Sequence, residues 1–404
     1  MVAESLGTEL ELEVTNIAHG GIGVARLDGR VIFVSDAIPG ETVRAQITQA
    51  SKKSFWRADT VSVVSASEFR QPHIWSAASI ERPPENRAGG AEFGHIRIEH
   101  QRELKRQVLA DALRRMAGIE SDVLVEALPG NSDGTGWRTR VRLHVDADGQ
   151  PGPFAARSHR VIEVTDLPLA TPAVEGAAPL RKLFRGEEFI DVIEPSTGAA
   201  RLIVGRQKPT VIRERVGSRE FRLDDGGFWQ VHRAAAETLT AAVQDAIDAD
   251  TFDPRANNLD LYGGVGLLAA AMGDRFGSAT RMTTVESDPR ATEHAGENLA
   301  EWLGARALTA RVERYVAQLA ASGEKLRGAA VVLDPPRSGA GKAVVDALAD
   351  LEPEQLVYVA CDPVALARDI ALFAEHGYIL GALRAFDLFP NTHHVEAVAR
   401  LVRQ

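Results

Sequence analysis

Asn258-Leu259-Asp260-Leu261-Tyr262-Gly263-Gly264-Val265-Gly266-Leu267 decides how the C-terminal half of the chain folds. A short apolar strand, Asn258–Tyr262, runs into a glycine-rich turn, and a helical pattern over Leu267–Phe276 begins at once. Glycines let the backbone turn tightly and approach a ligand. The alternation then repeats. Strands are expected at Met282–Glu286, Ala329–Leu333 and Leu356–Ala360, and helices at Ala234–Ala249, Pro289–Leu303, Lys342–Leu348 and Pro363–His376. Repeated strand–helix–strand units predict a parallel, doubly wound, Rossmann-like α/β sheet. Ile379–Phe386 and Val395–Val402 have no helix between them and predict an antiparallel edge hairpin.

Such sheets bind ligands beyond the C-terminal ends of their strands. The first end, Tyr262 to Gly266, misses the G-x-G-x-x-G spacing of a dinucleotide site. It suits S-adenosylmethionine better, which has no pyrophosphate to hold; a purely structural turn is the alternative. Glu286 ends the second strand, where a carboxylate can accept ribose hydroxyls of either ligand. Asp334 follows the third and is held by the rigid Pro335-Pro336 exit. Cys361 follows the fourth and precedes a helix starting at Pro363, whose dipole favours a thiolate. Placement alone leaves Cys361 open to two readings, because cysteine also serves as a small buried packing residue.

Upstream, Glu9–Val14, Gly23–Leu27, Arg30–Val34, Glu41–Thr48 and Arg57–Val64 read as strands separated by Gly20-Gly21, Asp28-Gly29 and Pro39-Gly40. Five strands in so short a stretch predict a small closed, OB-like barrel. A helical pattern covers Glu99–Met116. The middle is mixed α and β, with strands expected at Val123–Leu128, Trp137–Val145, Val161–Val164, Phe189–Ile193, Arg201–Val204 and Thr210–Glu214. The domains expected are 1–66, 67–225 and 226–404, with helix 99–117 free to pack on the third.

The net charge of −10 argues against a nucleic-acid binder, yet the middle is locally basic. Arg138, Arg140, Arg142, Arg157 and Arg160 fall close together, as do Arg206, Lys208, Arg213, Arg215 and Arg219. The single cysteine excludes an internal disulfide and any metal site needing several thiolates. It fits a reducing compartment. Met1 to Gly7 does not read as a signal peptide, and no apolar run is long enough to span a bilayer. A cytoplasmic protein, without membrane partners and acting as a monomer, is expected.

Five motifs together resemble the RNA uracil-5-methyltransferase family: Phe228-Trp229-Gln230-Val231-His232, Asp260 to Gly264, Asp334-Pro335-Pro336-Arg337, Cys361-Asp362-Pro363 and His394-Val395-Glu396. The N-terminal barrel is similar to a TRAM domain, the RNA-binding module that begins many members. Asn16, Gly21, Gly23, Val34, Pro39-Gly40 and Lys52-Lys53 fall where that module has them. Many members also bind a four-iron cluster through cysteines. Alanines stand at Ala88-Gly89-Gly90-Ala91 where a Cys-Gly-Gly-Cys would be, so no iron–sulfur cluster is expected. Asp362 replaces a usual Asn, and His232 a common one; both are expected to tune the site.

The resemblance implies transfer of a methyl group from S-adenosylmethionine to carbon 5 of a uridine in ribosomal or transfer RNA. Uracil carbon 5 is too weak a nucleophile unaided, and a thiolate added at carbon 6 activates it. Cys361 would be that nucleophile. Glu396 would be the base that removes the carbon 5 proton, with His393 and His394 as chemical alternatives. Gln230, Tyr262, Glu286 and Asp334 would bind S-adenosylmethionine, and no metal is expected. The competing expectation is an RNA-binding protein with a degenerate methyltransferase domain.

Overall fold

The computed structural model describes residues 6–50 and 54–404; Met1 to Ser5 and the Lys52-Lys53 pair lie outside the described residues. Five strands, β1 (Glu9–Ala18), β2 (Ile22–Leu27), β3 (Arg30–Ser35), β4 (Thr42–Gln49) and β5 (Phe55–Ser65), close into a barrel in the order β1-β2-β3-β5-β4. Alternation makes the barrel: Leu12, Val14, Ile32, Val34, Val43 and Ala45 point inward and are buried. Asp28 (φ 50°) and Gly29 (φ 79°) form the two-residue turn joining β2 to β3. Both central residues in the left-handed region match the right-handed twist of a hairpin.

Two pieces of the middle segment belong to the C-terminal layer. Helix α1 (Ile98–Ala112) runs on through a π turn at Leu113–Ala117 and stops at Gly118 (φ 67°). Its Leu109, Ala112 and Leu113 share one core with Leu259, Leu366 and Phe373. Lys105 reaches Asp387 (2.5 Å) and the Phe389 carbonyl (3.0 Å), with both charged groups buried. The short strand β6 (Val125–Ala127) pairs in parallel with a C-terminal strand described below.

The rest of the middle forms its own unit. β7 (Arg140–Val145), β8 (Pro151–Gly152), β9 (Phe189–Ile193) and β10 (Arg201–Val204) make a four-stranded sheet in the order β10-β9-β7-β8, with the short helix α2 (Pro172–Ala177) beside it. β11 (Val211–Val216) and β12 (Arg219–Asp224) form a separate hairpin. Val161–Val164, expected as a strand, makes only one isolated bridge, between Phe154 and Val161. Ala88 and Ala91 are buried beside Trp75, Ala77 and Ala155.

From α3 (Ala235–Ala246) onward the chain alternates: β13 (Asn258–Leu261), α4 (Leu267–Phe276), β14 (Met282–Glu286), α5 (Pro289–Asn298), β15 (Ala305–Thr309), α6 (Val312–Ala321), β16 (Ala330–Leu333), α7 (Lys342–Leu351), β17 (Gln355–Ala360), α8 (Pro363–Glu375), β18 (Tyr378–Asp387) and β19 (Glu396–Arg403). The sheet order is β15-β14-β13-β16-β17-β19-β18-β6. β13 to β17 are parallel and the hairpin β18–β19 is antiparallel, as expected. β6 adds outside that hairpin and forms the sheet edge. Strands β16 and β17 are buried along their whole length, so they read as unbroken apolar runs. Strand order reverses between β13 and β16, the position where open α/β sheets leave a crevice.

Candidate active site

A cleft of about 1270 Å³ opens over the C-terminal ends of β13, β14, β16 and β17. All six residues expected in the site, Gln230, Tyr262, Glu286, Asp334, Cys361 and Glu396, line it. They come from six separate chain segments, which the sheet brings together.

The β13 end is built to hold something against the backbone. Tyr262 sits at φ 61°, a conformation a bulky side chain adopts at a cost, typically near functional sites. Asp260 is fully buried; its Oδ2 accepts from the Ala269 amide (3.1 Å) and Thr284 Oγ1 (3.0 Å), while Oδ1 has no partner among the described residues. Burial pushes this carboxyl up to about 7, against those two bonds. A Cβ at Gly263 would collide with Thr284 Oγ1 and Asp260 Oδ2. Glu286 is fixed by the amides of Gly264 (3.1 Å), Ser287 (2.5 Å) and Asp288 (2.8 Å). An unpartnered buried carboxylate oxygen, a side-chain-free turn and a strand-end carboxylate suit a ligand with an amino group and a ribose. These residues therefore fit S-adenosylmethionine. Gly263→Ala should overpack this turn, costing about 1–3 kcal/mol. The expected result is a lower melting temperature together with weakened S-adenosylhomocysteine binding by calorimetry.

The other end of the cleft is formed by β16, β17 and β19. Asp362 caps α8, its Oδ1 accepting from the amides of Val364 (3.0 Å) and Ala365 (2.8 Å). Cys361 immediately precedes that cap and is half-buried. Burial pushes the thiol up to about 12, the Glu396 and Asp334 carboxyls add to the rise, and Arg337 opposes it. Glu396 opens β19 and is only 4% exposed. Burial, then Asp334, holds its carboxyl well above the usual carboxylate range. Burial and Asp260 push Asp334 up to about 7. Arg337 is the cation whose charge opposes the rise at both Cys361 and Glu396.

His394 also faces the cleft. Its Nε2 lies 3.4 Å from Arg337 Nη2, and burial, with His393 and Arg337, pushes it down to about 3. His393 does not line the cleft; its Nδ1 lies 3.6 Å from Glu92. His232, flagged as a departure, stacks on Trp137 (5.5 Å between centroids), and its Nδ1 accepts from the Ala234 amide (3.1 Å). Burial pushes it down to about 4, which favours the neutral ring, and His232 itself does not line the cleft.

The basic middle looks different once folded. Arg142 pairs with Asp191, Arg157 with Asp59, Arg213 and Arg215 with Glu220, and Arg219 with Asp274 and Glu301. The local excess of arginine is thus largely neutralised, by Glu220 across the β11–β12 hairpin and by acids distant in sequence for Arg142, Arg157 and Arg219. Arg138 differs. It lines the cleft, forms no ion pair among the described residues, and is pushed below the usual guanidinium range by burial and Arg337. Sequence reading placed Arg138 in a basic stripe but not in the site. Phe228, on the cleft rim and 74% exposed, was read only as part of a motif.

Comparison with known proteins adds three findings. A family model of the TRAM domain matches residues 4–55, and one of tRNA (Uracil-5-)-methyltransferase matches residues 311–404. An uncharacterized RNA methyltransferase of Streptomyces avermitilis is 37% identical over 98% of both chains. The 23S rRNA (uracil(1939)-C(5))-methyltransferase RlmD of Shewanella sediminis is 28% identical, over 98% of this chain and 96% of its own. Among solved structures, the Pyrococcus abyssi tRNA (uracil-54, C5)-methyltransferase in complex with S-adenosyl-L-homocysteine superposes with a TM-score of 0.71 at 21% identity. It covers 97% of this chain and all of its own. That likeness carries the fold.

Proposed function

Because the chain belongs to the RNA uracil-5-methyltransferase family, we propose that it transfers the methyl group of S-adenosylmethionine to carbon 5 of a uridine in ribosomal or transfer RNA through a covalent Cys361 adduct. One observation carries this reading: Cys361, Glu396, Asp334 and Arg337 converge from three strand ends onto the cleft that Gln230, Tyr262 and Glu286 also line.

The protein's own groups divide the work. Bound S-adenosylmethionine supplies an electrophilic methyl group. Glu286 accepts the ribose hydroxyls, Tyr262 packs on the ligand, and Gln230 and Asp334 hold polar groups near the reacting centre. Burial among carboxyls lets the site carry about one negative charge at a time. With Glu396 protonated, the Cys361 thiolate is tolerated beside Arg337 and adds to carbon 6. The sulfur becomes a neutral thioether and the charge passes to the ring enolate; methylation of carbon 5 discharges it, and only then can Glu396 release its proton to the cleft. Once carbon 5 carries its methyl group, Glu396 takes the remaining carbon 5 proton and the thiolate leaves. One proton is released per methyl transferred, so charge balances. A raised proton affinity suits Glu396 to this role. His394, pushed down to about 3, holds a proton poorly.

The target base must leave its stack to reach Cys361, at a cost of a few kcal/mol. Arg138 and Arg337 would meet its backbone phosphates, with Phe228 stacking at the rim. The barrel over 1–66 and the central unit within 67–225 would hold flanking RNA beside the catalytic unit at 226–404. No helix among the described residues is long and apolar enough to cross a membrane, and the RNA substrate class supports a cytoplasmic location.

Incubation with S-adenosylmethionine and RNA containing 5-fluorouridine should give a denaturation-resistant protein–RNA adduct, because no base can remove fluorine. The adduct forming with ribosomal but not transfer RNA, or the reverse, identifies the substrate. No adduct with either pool would favour a degenerate domain that only binds RNA.

A further inference from the structure

The β1–β2 turn of the barrel reaches the catalytic loops directly. His19 Nε2 lies 2.8 Å from Asp362 Oδ2, the carboxylate oxygen that does not cap α8. Two residues on, Gly21 packs so closely that a Cβ there would lie 2.5 Å from His393 Cβ and 2.7 Å from Phe93 Cε1. One turn thus touches the residue after Cys361 and the segment leading to Glu396. We propose that His19 is a positioning residue: through Asp362 it fixes the Cys361 loop, so that the barrel's seating is felt at the nucleophile. Its meaning for catalysis rests on the covalent reading above; the contact itself does not.

Asp362 is suited to the task because its two oxygens do different work, one holding the helix start and the other the barrel. The Asp362 bond raises the His19 imidazole against burial, and burial of Asp362 is outweighed by His19 and the two amides, which lower it. The charged pair therefore exists between the lowered Asp362 titration and the raised His19 titration, and is lost as pH rises through the latter. The other titratable groups on the loops packed here are Cys361, His393 and Glu92; the last two pair with each other.

Cys361 is the only cysteine, so alkylation of the intact protein reads this thiol alone and needs no RNA. His19→Ala should raise the iodoacetamide rate several-fold and lower kcat roughly tenfold, short of the ~100-fold that a misplacement of about 1 Å can cost. KM for RNA should stay unchanged. His19→Gln, whose amide can still donate to Asp362, should restore most of both. The wild-type to Gln ratio of kcat should fall toward one as pH rises through the His19 titration. Gly21→Ala, which wedges the same turn away, should reproduce the His19→Ala loss. Unchanged alkylation and kcat in His19→Ala and Gly21→Ala would overturn the proposal, as would a change confined to KM. If the wild type alkylates normally but forms no 5-fluorouridine adduct, the covalent reading fails instead.

Discussion

Cys361→Ala should lower methyl transfer by about 10⁵-fold or more, the scale on which removing a nucleophile acts. No second thiol exists to substitute. The residue is half-buried and loses only its sulfur, so the fold and S-adenosylhomocysteine affinity should be kept. The wild-type rate should also carry the thiol's signature. Burial and the neighbouring carboxyls keep the proton on sulfur in the ligand-free cleft. Raising pH removes that proton, so kcat/KM for RNA should rise across the neutral and alkaline range. Single-turnover methyl transfer measured alongside binding checks both statements. A variant retaining activity within tenfold of wild type would remove Cys361 from the reaction.

Glu396→Gln should behave differently. The amide is isosteric and uncharged, so it resembles the protonated carboxyl that burial favours. Thiolate addition and methylation should then proceed, while removal of the carbon 5 proton fails. Turnover should fall by about 10²–10⁴, the range of a general base. A methylated, denaturation-resistant adduct should accumulate on ordinary uridine RNA, where the wild type shows none at steady state. Loss of both adduct and methyl transfer would mean that Glu396 acts earlier; undiminished turnover would mean that another group is the base.

Much of this site is local and therefore legible in the chain. The glycine turn after Leu261, the double proline after Asp334 and the cysteine before Pro363 each mark a strand end, and strand ends converge by topology. What escaped reading is tertiary. β15 is a half-exposed edge strand with no continuous apolar run, and α6 follows it unannounced. β12 lay hidden in what read as a basic stripe, whose Arg219 finds Asp274 and Glu301, 55 and 82 residues away. The thiol's reluctance to ionise depends on Glu396 and Asp334, which no reading of residues 356–363 contains. The positions expected to hold S-adenosylmethionine were named from family motifs, and of the four only Tyr262 has a backbone in the left-handed region. Arg138 was overlooked because its lack of an ion pair among the described residues is a fact of packing.

The β6 strand and α1 carry a last consequence, for how such proteins can be recombined. The catalytic half looks like an exchangeable cassette beginning near residue 226, yet its outermost strand and one helix of its core come from residues 98–127. A splice at the apparent boundary would strip Lys105 from Asp387, leaving an uncompensated buried anion, and would bare the β18 edge to other chains. The barrel and central unit, though compact, therefore cannot be shuffled onto new catalytic partners without carrying that stretch along. Lineages that trade RNA-binding modules would have to do so upstream of α1.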